Sequence, residues 1–223
     1  MYVGRKMTTD LITVTSDTPM VKARDLLREH NIKQVPVVDQ NGNLVGILTD
    51  RDIKQAWASP ATTLSIYELT YVLQKLTVES VMMKDPITIT PNSTIERATK
   101  ILHDRKIGSL PVVEDGKLVG IITSTDLMEV LLDGLGVQEE SGRLVVLVRD
   151  RIGVLADVCS ILKDANISIV SMITLPLHQH AGIHELVMRV HSADRDRAVR
   201  CLEDSGYRVI TEYIKDLEPY LPA

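Results

Sequence analysis

His30–Ile53, HNIKQVPVVDQNGNLVGILTDRDI, returns as Arg105–Leu127, RKIGSLPVVEDGKLVGIITSTDL. The second copy drops one residue in the turn, DGK for QNGN. Upstream, Asp10–Pro19 (DLITVTSDTP) is answered by Asp85–Thr94 (DPITITPNST). The two copies, Met7–Ile53 and Met82–Leu127, lie about 75 positions apart, an internal repeat that organises the fold. A unit of this length written twice predicts two similar lobes around a pseudo-twofold axis, with two related clefts between them.

Each copy reads strand, helix, strand, strand, helix. Ile12–Val14 and Ile87–Ile89 alternate as short strands. Thr18-Pro19 opens one helix with proline at its first position, and Ser93–Glu96 (STIE) opens the other as a capping box. Apolar residues follow at helical spacing: Met20, Ala23, Leu26 and Leu27, then Ile95, Ala98, Ile101 and Leu102. Asn41-Gly42 and Asp115-Gly116 turn the hairpins, and a helix starts at Thr49 and at Thr123. Between the copies, Ile66, Leu69, Val72, Leu73 and Leu76 mark an amphipathic helix.

The 223 residues suffice for two or three small domains, and 44% hydrophobic with 25% charged content is that of a globular protein. Phe is absent and Trp57 is alone, so the core is aliphatic. A net charge of −5 without a basic, aromatic stripe speaks against nucleic acid. No apolar run reaches the ~18 residues of a membrane span. MYVGRKMTTD lacks the apolar region of a secretory signal, so a cytoplasmic setting is expected. Cys159 and Cys201 sit in helical-core phase and read as buried packing thiols.

The paired pattern ending in GILTDRD and GIITSTD resembles a tandem of cystathionine-β-synthase-type (CBS) domains. After Asp133–Gly142, Leu144–Val148 reads as a strand, Ile152–Ala165 as a helix, Ile167–Leu175 and Ile183–Val190 as strands, Ala193–Ser205 as a helix and Tyr207–Glu212 as a strand. This βαββαβ order is ferredoxin-like. VRDRIGVLADVCSILKDANISI resembles the opening of an ACT domain, with Ile152 where that motif usually has proline. The expected class is α+β. Residues 1–58 and 78–135 form the repeats, 59–77 the intervening helix, 136–142 a linker, 143–216 the ACT domain and 217–223 a tail. Together these resemble the acetoin-utilisation accessory protein B family.

The resemblance implies an adenine nucleotide (AMP, ADP or ATP) in the cleft between the repeats, with the Asp on ribose and the Thr near phosphate. The matching residues are Thr49 and Asp52, and Thr123 and Asp126. It sets Asp126 opposite Met7, Ile12, Ile32 and Lys33, and Asp52 opposite Met82, Ile87, Ile107 and Gly108. A carboxylate offers only acceptors, which suits two ribose hydroxyls. The same Thr-x-x-Asp spacing also reads as a helix cap that needs no ligand. Reciprocal capping prefers Glu or Gln, and Asp in both copies favours the ligand.

In the ACT segment the resemblance points to Arg151, Gly153 and Leu155 in the loop-to-helix turn, and to Asn166, as effector-binding residues for an amino acid or related metabolite. Asn166 also suits a left-handed C-cap. Gly153 is expected where the loop approaches the helix closely.

His178, His180 and His184 invite a metal, but no Cys or carboxylate pair completes a set and Glu185 alternates away from His184. They read as hairpin surface histidines. Ser141 and Ser171 have no His–Asp pattern for nucleophilic catalysis. Arg195 and Arg197, beside Asp194 and Asp196, read as a solvated helix start. The resulting expectation is a non-catalytic regulatory sensor requiring no cofactor. Its rivals are an acetoin-metabolism enzyme and a ligand-free scaffold. Ile53, Trp57, Met128, Val130 and Leu131 lack an evident cover and predict a homodimer. Gly134, Gly136 and Gly142 predict a joint that holds more than one orientation.

Overall fold

A computed structural model describes residues 1–58, 75–137 and 140–222. The chain divides into two compact units, Met1–Met128 and Glu129–Ala223.

The first unit holds both repeats. Repeat one contains α1 (Met20–Glu29), β1 (Gln34–Val38), β2 (Leu44–Thr49) and α2 (Asp50–Ala58). A two-residue β3 (Met83–Lys84) then leads into repeat two: α3 (Ile95–Arg105), β4 (Ser109–Glu114), β5 (Lys117–Thr123) and α4 (Ser124–Leu135), which belongs to the second unit from Glu129 onward. β1 pairs antiparallel with β2, and β4 with β5. Each hairpin has an irregularity at the same place, Val37/Val38 and Val112/Val113. The dropped residue has a simple consequence. Asp115 and Gly116, both at positive φ, close a two-residue turn between Glu114 and Lys117. The longer first turn is instead held by Asp39, whose Oδ1 accepts from the Asn41 and Asn43 amides at 2.8 Å.

The segments leading into the two repeats are exchanged. Residues before repeat one pack on repeat two: the Val3 amide donates to Ser93 O (2.9 Å), and Thr8 exchanges two backbone bonds with Ile121 (2.9 and 3.0 Å). Residues before repeat two pack on repeat one: the Met20 amide donates to Leu76 O (2.9 Å), and Met83 in β3 pairs with Ile47 in β2. Val78 is fully buried in the repeat-one core with Val14, Met20, Ala23, Leu27, Val35, Val37, Leu48 and Ile53. Val3 is fully buried as its counterpart.

Several expectations need correction. Ile12–Val14 and Ile87–Ile89 reduce to single parallel bridges, Val14 with Val37 and Ile89 with Val112, because so short a stretch makes one pair of backbone bonds. Pro19 caps α1 rather than beginning it. Thr94 caps α3 by accepting from the Arg97 amide (3.2 Å), so Arg97, not Glu96, holds the third position. Ile53 is buried in the core and is not part of an exposed face, whereas Met128 and Leu131 are exposed. Ile66, Leu69, Val72 and Leu73 of the expected intervening helix lie outside the described residues, as does the Trp57 side chain. Cys159 and Cys201 are free thiols, half-buried rather than buried.

The second unit contains β6 (Ser141–Arg149), α5 (Val154–Asp164), β7 (Ile169–Pro176), β8 (Ile183–His191), α6 (Arg195–Asp204) and β9 (Val209–Ile210). The sheet order β7-β8-β6-β9, antiparallel throughout, is the ferredoxin-like arrangement. β6 begins within the span expected as linker, and Gly142 lies inside it. β9 is much shorter than the expected Tyr207–Glu212.

Leu144, Val146 and Val148 face α5 and α6, packing on Val158, Leu162, Ala198 and Leu202. Val145 and Leu147 face the other way and join Ile183 and Ile210. The C-terminal segment covers this second face with Ile214, Leu217, Tyr220 and Leu221. Arg208 donates to the carbonyls of Pro219 and Leu221, holding the segment down. Five consecutive apolar residues in β6 are the signature of a strand buried on both faces. Deleting residues 213–223 should uncover Val145, Leu147, Ile183 and Ile210. The expected cost to this unit is roughly 2–5 kcal/mol, with apolar-dye fluorescence appearing under native conditions. An unchanged urea midpoint without dye binding would contradict the strap.

Candidate functional site

The two Thr–Asp pairs take the same geometry. Asp52 Oδ2 accepts from the Thr49 amide (2.9 Å) and hydroxyl (2.6 Å), while the Asp52 amide donates to Thr49 Oγ1 (3.2 Å). Asp126 Oδ2 accepts from the Thr123 amide (2.7 Å) and hydroxyl (2.9 Å), and its amide donates to Thr123 Oγ1 (3.3 Å). Each is a closed capping box built with Asp, so the shorter side chain does reach back. The preference for Glu or Gln therefore does not separate a cap from a ligand site. Only one carboxylate oxygen is used in each box. Among the described residues Oδ1 of both aspartates carries no hydrogen bond, which leaves acceptor capacity after the cap is made.

The exchanged segments bring a methionine to each hairpin. A Cβ on Gly120 would lie 2.5 Å from Met7 Sδ, and one on Gly46 would lie 2.6 Å from Met82 Sδ. Met7 thus shares a hairpin with the Thr123–Asp126 pair, and Met82 with Thr49–Asp52. The two remaining sets also make backbone contacts within their own repeats. Lys33 O accepts from the Asp50 amide (2.9 Å), and Gly108 O from the Ser124 amide (3.0 Å). Each of these backbones borders the pair of its own repeat. The Gln34 side chain reaches across to the second repeat, its carboxamide oxygen 3.6 Å from the Cβ position of Gly108. Ile12, Ile32 and Ile107 are half-buried, while Ile87, Lys33 and Gly108 are exposed.

In the second unit, Gly153 caps α5 at φ +89°, and nothing lies within 4 Å of its Cβ position. The expected close approach is absent; the left-handed backbone alone calls for glycine. Arg151 Nη2 is ion-paired to Asp157 at 2.5 Å across the first turn. A cavity of about 230 Å³ opens here, lined by Val148, Asp150, Arg151, Gly153, Val154, Leu155, Thr174 and His184. Asn166 is not part of it. It stands at φ +54° as the left-handed residue after α5, with the Ile167 amide returning to Leu162 O (2.9 Å), and lines a separate groove with Cys159, Lys163 and Asp194. Thr174 has no signal in the sequence reading, and His184, read there as a hairpin surface histidine, lines this cavity. For His184 strand register was the available signal, since it lies opposite Val148. Among the described residues no three His, Cys, Asp or Glu side chains gather into a metal-binding group, and no helix is long and apolar enough to cross a membrane.

The CBS domain family model matches residues 3–59 and 78–133, and the ACT domain model matches residues 142–206. The chain belongs to the CBS-domain family, with two CBS domains in tandem and an ACT domain behind them. A CBS domain-containing protein of Dictyostelium discoideum is 35% identical over 133 residues, which are 59% of this chain and 92% of that one. Inosine-5'-monophosphate dehydrogenase of Korarchaeum cryptofilum is 37% identical over 61% of this chain, but this spans only 26% of the dehydrogenase, within its CBS region.

Among solved structures, the CBS pair of protein MJ0100 in complex with 5'-methylthioadenosine and S-adenosyl-L-methionine has a TM-score of 0.51 at 30% identity, covering 59% of this chain and 95% of that one. CBSX2 in complex with AMP scores 0.50 at 30% identity, covering 59% and 96%. The chain described as acetoin utilization protein AcuB from Vibrio cholerae scores 0.53 at 29% identity, covering 62% and 96%. Adenosine ligands are thus bound by CBS pairs similar to this one, and the modules of this chain are regulatory in kind.

The capping boxes predict a cost that needs no nucleotide. Asp52→Ala and Asp126→Ala should each destabilise the apo first unit by about 1 kcal/mol in urea unfolding, the scale of a lost helix cap. Wild-type stability in both variants would show that the boxes do not form in solution.

Proposed function

We propose that this protein is a non-catalytic regulatory sensor that holds an adenine nucleotide between its CBS repeats and a small amino acid or related metabolite at the Arg151–Leu155 turn. The carrying observation is the pair of Thr–Asp boxes, each with one carboxylate oxygen left over, in a chain similar to CBS pairs solved with AMP and with S-adenosyl-L-methionine. The bound nucleotide would set its ribose against the remaining Oδ1 and its phosphate near the N-terminus of α2 or α4, where the helix dipole favours an anion.

The clefts are unequal in this reading. The Asp126 cleft draws on Lys33, Lys6 and the Ser124 and Thr125 hydroxyls, whereas Asp52 has Arg51 with Asp50 beside it. A charged phosphate therefore favours the Asp126 side. The ACT cavity combines an apolar wall of Val148, Val154 and Leu155 with the polar groups of Asp150 and Thr174, which suits a small zwitterion. Likeness to AcuB favours a place in acetoin or central carbon metabolism. Exposed Met128 and Leu131 favour a homodimer.

Calorimetry with AMP, ADP, ATP, NAD and S-adenosylmethionine tests the reading. Asp126→Ala should weaken the preferred nucleotide by about 1–3 kcal/mol, the range for a hydrogen bond to a charged group, and Asp52→Ala by less. The reverse order would exchange the clefts. Binding untouched by either substitution would leave the aspartates as caps alone.

A further inference from the structure

Ser141 and Ser171 have no catalytic partners, yet both hydroxyls are committed. The last turn of α4 belongs to the second unit, and a helix end leaves carbonyls without intrahelical partners. The Val137 amide returns to Leu132 O (3.3 Å) and the Gly136 amide to Asp133 O (3.0 Å), the two-bond Schellman ending. Two further carbonyls at this end, those of Leu135 and Gly136, are taken by the sheet. Ser171 Oγ on β7 donates to Leu135 O at 2.6 Å, and Ser141 Oγ on β6 donates to Gly136 O at 2.9 Å. Arg189 on β8 donates to the Ser141 hydroxyl at 2.8 Å and to the Ser141 carbonyl at 3.2 Å.

Gly136 is what permits this fit. It stands at φ +64°, and a Cβ there would lie 2.8 Å from Ser171 Oγ and 3.0 Å from Val170 Cγ1. The glycine expected to loosen the joint instead seats a helix end on strand side chains. Gly142, expected to do the same, lies in β6 with the Arg195 side chain 2.7 Å from its Cβ position.

α4 is a single 12-residue helix whose first turn is closed by the Thr123–Asp126 box. We propose that Ser171 and Ser141 are positioning residues that couple nucleotide occupancy at that box to the ACT sheet, by way of the C-terminal carbonyls of α4. The inference rests on the nucleotide reading above. A ligand at Asp126 suppresses opening of α4, and the two hydroxyls carry the added order into β7 and β6. β7 is an edge strand, paired only with β8 among the described residues, so its local opening is the sensitive readout.

The test is hydrogen–deuterium exchange on the full chain, with and without saturating AMP, in wild type, Ser171→Ala and Ser141→Ala, alongside AMP calorimetry on each. In wild type, AMP should slow exchange at least about threefold in residues 123–127 and again in residues 169–175. Both variants should keep AMP affinity within about twofold and keep the first effect; Ser171→Ala should lose the second, while Ser141→Ala, whose hydroxyl reaches β6 rather than β7, should retain it, the signature of severed coupling rather than of a damaged site. Protection of 123–127 without protection of 169–175 in wild type would overturn the clamp and leave the nucleotide reading standing. Equal protection of 169–175 in wild type and Ser171→Ala would overturn it as well. Absence of AMP binding and of protection at both segments would remove the nucleotide reading and the clamp with it.

Discussion

The first unit depends on an exchange of backbone between its repeats. Neither hairpin completes its surroundings from its own copy. Repeat one needs Val78 in its core and β3 on the edge of β2; repeat two needs Val3 and the Thr8–Ile121 bridge. Burying a valine of this kind is worth about 1.5–3 kcal/mol, so each lobe is stabilised by a residue of the other. The exchange also brings a methionine to each hairpin. Met7 and Met82 reach their hairpins only because the segments carrying them cross over, and Gly120 and Gly46 leave the space they fill. Separating the repeats would remove a packed methionine from both hairpins together.

On this frame one short motif serves two purposes. The Thr–Asp box satisfies helix N-terminal amides and so contributes stability in the empty protein. A carboxylate has more acceptor sites than the box uses, so the same side chain has capacity for ribose hydroxyls. The two roles are compatible, and an alanine substitution removes both. Measurements on the empty and the loaded protein are needed to separate them.

Much of this was legible in the sequence. The repeat, the hairpin turns and the βαββαβ order follow from periodicity and turn chemistry, which are local. The exchange was legible only through the family resemblance, which set Met7 with Asp126 and Met82 with Asp52; Val3 and Val78 look like ordinary apolar residues before a strand, and their partners lie in the other copy. The capping boxes were read correctly as a spacing, but the inference from Asp in place of Glu failed on geometry: Asp52 and Asp126 reach the Thr amides at 2.9 and 2.7 Å. The covered second face of the ACT sheet was written in LVVLV, five apolar residues where a half-exposed strand would alternate. Asn166 and Gly153 were both singled out from sequence, and both have backbone reasons for their identity, left-handed φ values of +54° and +89°.

Because the exchanged methionines sit on the hairpins that carry the Thr–Asp boxes, they are direct reporters of the proposed nucleotide sites. The decisive measurement is a methyl spectrum of the protein labelled at methionine, with Met7 and Met82 assigned by substitution and AMP titrated in. The Met7 signal should shift at lower nucleotide concentration than the Met82 signal, and Asp126→Ala should move the Met7 shift to higher nucleotide concentration. Saturating nucleotide that moves neither signal, or moves only methionines of other elements such as Met172 and Met188, would contradict this assignment.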